Sequence, residues 1–237
     1  MEITAQAWGN YVHKLEALNK TASQQMAAYL EAHGTADTDA IITYAEALAQ
    51  KYGAGSTELA CQMYDAVAEL QHANVPPAEP AEITSRGEIA KRMEAMKDSP
   101  PKMAQEAGRL VKQAGADTML KNAKRDKAEF AWVPNGDSCA FCATLASRGW
   151  QRASEITASG GHAAHIHANC DCEFAIRFSK RFNVAGYDPE KYLKQYRDAG
   201  GKINEMRRIN YAANKERINA QKRAAYDQYG HAAFEQG

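Results

Sequence analysis

The chain has 237 residues, 45% of them hydrophobic and 24% charged, and its 29 basic and 29 acidic side chains cancel. That composition suits a globular protein with room for one medium domain, or for a core carrying helical extensions. It excludes a transmembrane helix, since no run of about 18 apolar residues occurs; the opening MEITAQAWGNYVHKLEAL also lacks the basic segment and apolar core of a secretory signal, so a reducing cytoplasm is the expected setting.

The first 72 residues predict three short helices. Trp8, Tyr11, Leu15, Leu18 and Ala22 recur at steps of three and four and draw one apolar stripe, with Gly34 as the stop. Asp37 or Thr38 can cap a second helix carrying Ile41, Tyr44, Ala45 and Leu48, ending near Gly53. Ser56 can cap a third, with Leu59, Met63, Val67 and Leu70 on its buried face. Helices this short and closely connected point to an antiparallel bundle. Pro76 and Pro77 then exclude helix from ANVPPAEPAE, residues 73–82. Two more helices are expected, near 84–97 and 102–125, separated by Ser99-Pro100-Pro101.

At Glu129 the pattern switches to period two, with Phe130 and Trp132 on one side of a first strand. Pro134-Asn135-Gly136-Asp137 makes a turn, and Asp137 or Ser138 can cap a short helix from Cys139 to Arg148 that stops at Gly149. A long irregular loop follows from Gln151 to Asn169, loosened by Gly160 and Gly161. Cys172 to Phe178 alternates again and places Phe174, Ile176 and Phe178 on one face of a second strand. From Asp188 the chain is helical, and Lys202 to Tyr226 is long and polar. Only Ile203, Met206, Ile209, Ala213 and Ile218 mark an apolar side, so this helix is expected to lie on a partner.

Charge is unevenly spread. Residues 1–82 hold three Lys/Arg against eleven Asp/Glu, and residues 177–223 hold thirteen against five. Two ends of opposite sign suit different partners, although solvated helix faces would give the same pattern. Arg177, Lys180 and Arg181 open the basic stretch, which could follow a phosphate backbone or dock on protein.

The chemistry gathers in Cys139-Ala-Phe-Cys142 and His167-Ala-Asn-Cys170-Asp-Cys172. A Cys-x-x-Cys turn offers two thiolates from one knuckle, and backbone amides at a helix start stabilise them. A second short segment can complete a tetrahedral zinc site. The ligand set read from the residues is Cys139, Cys142 and Cys172 with either Cys170 or His167, and spacing does not separate the two. Buried free thiols, disulfides or a catalytic metal are the other readings of the cluster. His162 and His165 are candidates for a second metal or a base, or are surface histidines. Cys61 lies off the stripe of its helix and suits a packing role, and Trp132 and Trp150 are expected against the apolar side of the knuckle. No His-x-Glu precedes the cysteine pair as zinc deaminases require, and no phosphate-binding loop, dinucleotide fingerprint, His-Glu-x-x-His or nucleophile elbow is present. A structural site is therefore expected rather than a catalytic one.

Asp137-Ser-Cys139-Ala-Phe-Cys142-Ala-Thr-Leu145 followed by His167-Ala-Asn-Cys170-Asp-Cys172 resembles the core motif of the phage Mu F-like head morphogenesis family, the minor capsid proteins of tailed phages. That family carries proline after the histidine and arginine between the last cysteines, where this chain has Ala168 and Asp171. Lys51-Tyr52-Gly53 and Met63-Tyr64-Asp65 are similar to the actinobacteriophage branch. The resemblance implies a non-enzymatic protein of the virion, assembled in the host cytoplasm and held inside the capsid near the portal. Its partners would be the portal protein or the major capsid protein, and packaged DNA through residues 177–223, with no membrane. A zinc-dependent hydrolase or nuclease using the histidine loop, and a zinc-stabilised nucleic-acid-binding module, are the alternatives.

The expected fold is thus mainly α with a small central α+β module. A helical bundle over 1–72 is followed by a proline-rich linker over 73–82 and a helical connector over 83–127. The Cys/His-pinned module, with short strands around the site, spans 128–178, and long helices form a basic arm over 179–237.

Overall fold

The computed structural model describes residues 2–135, 139–155 and 172–229. A two-residue strand, β1 (Glu2–Ile3), leads into helix α1 (Ala5–His33), which Thr4 caps by accepting from the Ala7 N–H at 3.1 Å. Gly34 ends α1 in the left-handed region at φ 70°. Asp37 caps α2 by accepting from the Ala40 N–H at 2.9 Å, and α2 runs unbroken over 33 residues, Thr38–Leu70.

The expected break at Gly53 and fresh cap at Ser56 do not occur. A mid-helix glycine costs about 1 kcal/mol relative to alanine, and here the lack of a side chain serves packing instead. A Cβ on Gly53 would sit 3.6 Å from Ala114 and from Ile83. Ser56 is fully buried, 2.5 Å from where a Cβ on Gly115 would stand.

Residues 73–85 have no regular structure but are held along their length. Ala78 N–H donates to Asp65, Glu79 N–H to Asn122 and Ala81 N–H to Thr118, at 2.8, 2.9 and 3.0 Å. Arg125 reaches the carbonyls of Pro76 and Pro77 at 2.9 and 3.0 Å. Helix α3 (Arg86–Ala95) follows, then α4 (Pro100–Arg125) with Pro100 in its first turn. The segment read from sequence as a connector packs along both α1 and α2. Gly108 and Gly115 face those two helices: a Cβ on Gly108 would collide with Ser23 Oγ and lie 2.7 Å from the Asn19 carbonyl oxygen.

Strand β2 (Glu129–Pro134) leads to helix α5 (Ala140–Ala146), strand β3 (Gln151–Arg152) and a short 3-10 turn at Ala153–Glu155. Strand β4 (Cys172–Arg177), strand β5 (Asn183–Val184), helix α6 (Pro189–Asp198) and helix α7 (Ile203–Tyr229) complete the described chain. One antiparallel sheet has the order β3-β2-β4, with Phe130 opposite Ile176, Trp132 opposite Phe174 and Pro134 opposite Cys172. The expected loop therefore begins as a strand, because Gln151 and Arg152 pair with Phe130 and Glu129. β1 pairs in parallel with β5, a contact that joins the start of the chain to residue 183 and that two-residue strands do not announce.

The fold is mainly α with a small α+β part. One apolar core passes from α1, α2 and α4 through β2 and β4 to Phe182 and Tyr187. A second fills the other end of the bundle around Met26, Ile41, Met93 and Leu110. A third joins Ala140 and Ala143 to Ala199 and Met206. The cores contain ion pairs. Lys112 of α4 meets Glu173 of β4 at 2.8 Å with both side chains buried, and Arg109 donates to Glu106 at 2.7 Å. A buried charge without its partner is costly, so the Lys112–Glu173 pair fixes how β4 sits on the bundle, while Arg109–Glu106 stays within α4.

Candidate metal centre

Strand β2 delivers the chain to α5, and Cys139 occupies the position just before that helix. Its Sγ accepts from the Cys142 N–H at 3.3 Å, so the thiol itself is the cap, in place of the expected Asp137 or Ser138. Sulfur does here what a serine hydroxyl does at other helix starts. Cys142, one turn on, is fully buried and Cys139 half-buried. Their sulfurs lie 3.3 Å apart, and all four described cysteines are free thiols. A disulfide requires about 2.05 Å, whereas two thiolates on one tetrahedral zinc stand about 3.8 Å apart. The pair is a thiol–thiol contact in which Cys139 Sγ donates to Cys142 Sγ.

Cys172 opens β4 opposite Pro134, at the end of β2 from which α5 departs. It is buried in the same core as Cys142. Tyr187 and Tyr192 line this region. Burial pushes both phenols above their ordinary value, and the Cys172 thiol adds to the rise in each. The Tyr187 hydroxyl donates to the Ala146 carbonyl at 3.0 Å and so ties the end of α5 to the turn before α6. Among the described residues, no three His, Cys, Asp or Glu side chains converge as a ligand set. His162, His165, His167 and Cys170 lie outside the described residues, so the choice between Cys170 and His167 stays open. The described donors fit two positions of a soft-metal site, with Cys172 in the same core.

Several groups around the site escaped the sequence reading. Glu173, next to Cys172, is the buried partner of Lys112; an acidic residue amid alternating apolar ones was the signal. Arg177 pairs with Glu129 at 2.6 Å and lies over the Trp150 ring at 4.6 Å. It thus serves the sheet rather than opening a surface basic stretch. Trp150 also meets Tyr187 edge-on, while Trp132 packs on Phe130 and Phe174 within the sheet. Cys61 lies in α2, buried, with its thiol pushed up by burial and then by Asp65 and Glu58.

A second candidate surface belongs to α7, about 40 Å long. Met206 is its one buried side chain among those described, and Ile209 and Tyr211 are exposed. Arg207, Arg208, Lys215, Arg217 and Arg223 are exposed along it, and Lys202 just before it. A groove of ≈ 390 Å³ lies where α5, α6 and α7 meet, lined by Ala140, Ala143, Tyr192, Met206 and Ala213. No described helix is long and apolar enough to cross a membrane.

The profile of the VG15 protein family matches residues 2–199. The chain belongs to that family, and it is a phage protein. The match ends at Ala199, the residue that closes α6, so α7 lies beyond it. Comparison with curated proteins and with solved structures finds no match.

Proposed function

We propose that the protein is a structural minor capsid protein of the head-morphogenesis type. It acts without catalysis beside the portal, inside the head of a tailed phage or prophage, and assists assembly and the packaging or ejection of DNA. The observation that carries this reading is the phage-family match over residues 2–199. It falls on a chain that also holds the Cys-x-x-Cys and His-x-x-Cys-x-Cys order of Mu F-like head proteins.

In this reading the cysteine cluster is a structural zinc site. Cys139 and Cys142 supply two thiolates, Cys172 a third, and His167 or Cys170 the fourth. Bound zinc would supply cross-linking of the β2–α5 junction to the start of β4. Two adjacent free thiols at the start of α5, with Cys172 in the same core as Cys142, support that assignment. The portal or capsid shell and the packaged DNA are assigned to opposite ends of the charge gradient, the acidic bundle and the basic arm.

The test is co-expression of the full chain with the portal protein encoded by the same genome. A complex that survives size-exclusion chromatography is expected, with about one zinc per chain by elemental analysis. A folded chain that elutes apart from the portal overturns the portal assignment, and a metal-free folded chain overturns the zinc.

A further inference from the structure

Helix α5 belongs to two cores at once. Cys142, Leu145 and Ala146 lie in the main core, whereas Ala140 and Ala143 face the other way, against Ala199 and Met206. Seven residues cannot hold a helix by themselves, since isolated helices below about 12 residues are marginal. What keeps α5 helical is its two packed faces and the sulfur cap that Cys139 places on the Cys142 N–H.

The C-terminal arm depends on that helix. The main contacts of α7 are with α5 and α6. Its buried residue, Met206, accepts from Thr144 Oγ1 of α5 at 3.4 Å. Past Asn214, Lys215, Glu216 and Arg217 are exposed. Tyr192 of α6 packs against both cores. Between α6 and α7 stand Gly200 and Gly201, both in the left-handed region at φ 63° and 70°. Their N–H groups donate to the Arg197 and Tyr196 carbonyls at 2.8 and 2.9 Å, closing α6 so that α7 starts in a new direction.

We propose that α5 is a latch which couples the cysteine pair to the C-terminal arm. Holding Cys139 and Cys142 together keeps the alanine face of α5 in register and docks α7; separating them loosens α5 and releases the arm. The coupling runs both ways, because any shift that the thiol pair imposes on the arm equilibrium is mirrored by the arm on the pair.

Two measurements test it on the full chain. In Cys139→Ala/Cys142→Ala, amide hydrogen exchange over residues 203–214 should speed up at least about tenfold while α1, α2 and α4 keep their protection. A folded variant with unchanged exchange in α7 overturns the latch. Where that variant fails to fold, Met206→Asp provides the reciprocal test with both thiols intact. Undocking the arm should raise the rate at which N-ethylmaleimide alkylates Cys142 at least about tenfold. An unchanged rate overturns the proposal.

Discussion

Gly108→Ala and Gly9→Ala are the same chemical change in two helices, and the structure gives them opposite signs. Each adds a methyl group to a helix interior, where alanine is favoured over glycine by about 1 kcal/mol. At Gly9 a Cβ meets nothing within 4 Å, so that gain stands alone. At Gly108 the Cβ collides with Ser23 Oγ and stands 2.7 Å from the Asn19 carbonyl oxygen. Ser23 can rotate away, but Asn19 O belongs to the α1 backbone and moves only with its helix. The helices must part by several tenths of an ångström, and overpacking of this kind costs about 1–3 kcal/mol. The net expectation is a loss of up to about 2 kcal/mol for Gly108→Ala and a gain of up to about 1 kcal/mol for Gly9→Ala. In a chain of this size each kcal/mol moves the melting temperature by about 2–4 °C. Urea titration followed by far-UV circular dichroism reads both, provided the slope with denaturant is unchanged. If Gly108→Ala is as stable as Gly9→Ala, α1 and α4 are not in the contact described and the bundle geometry is wrong.

Other predictions rest on polar groups in the cores. Lys112→Met takes the ammonium away from the buried Glu173 carboxylate and should cost about 3–5 kcal/mol in the same titration, whereas adding Glu173→Leu should recover most of the loss. Gln71→Leu removes the oxygen that accepts from the Phe178 and Ser179 N–H groups at 2.9 and 3.0 Å, with an expected cost of about 1–3 kcal/mol and faster exchange of those two amides. Tyr11 and Tyr64 have phenols raised well above their usual value, both chiefly by burial, with Glu173 adding at Tyr11 and Asp126 at Tyr64. Unfolded tyrosines ionise near pH 10 while these stay protonated, so the folded state holds more protons in alkali. Their contribution to stability is complete below about pH 10 and falls as pH rises above it. Urea midpoints measured from pH 8 to 11 should show that fall, and Tyr64→Phe should make it shallower; an unchanged slope would place Tyr64 outside the effect.

The parts of the fold that follow from local periodicity were legible in the sequence. The alternation around Phe130 and Trp132 and around Phe174 and Ile176 becomes two paired strands with those residues buried. Gly53 misled because a glycine that ends a helix and one that lets two helices approach look alike without the neighbour, here Ala114. The cap at Cys139 was hidden for a related reason, since Asp137 and Ser138 are the stronger capping types by propensity and the backbone turns one residue later. The β1–β5 pair joins Ile3 to Val184, and two residues carry no period to detect. For the site, sequence spacing singled out the cysteine pair and Cys172 as candidates, but not the long-range pairs Lys112–Glu173 and Arg177–Glu129 that hold β4.

The proposed place of this phage protein is inside the head, beside the portal. Quantitative mass spectrometry of purified, protease-treated heads from the phage or prophage that encodes it tests this most directly. Intact peptides from residues 2–199 are expected in protected heads, at a copy number comparable to that of the portal ring and far below that of the shell protein. Heads that lack the protein, or that lose it to protease while the shell stays whole, would contradict it.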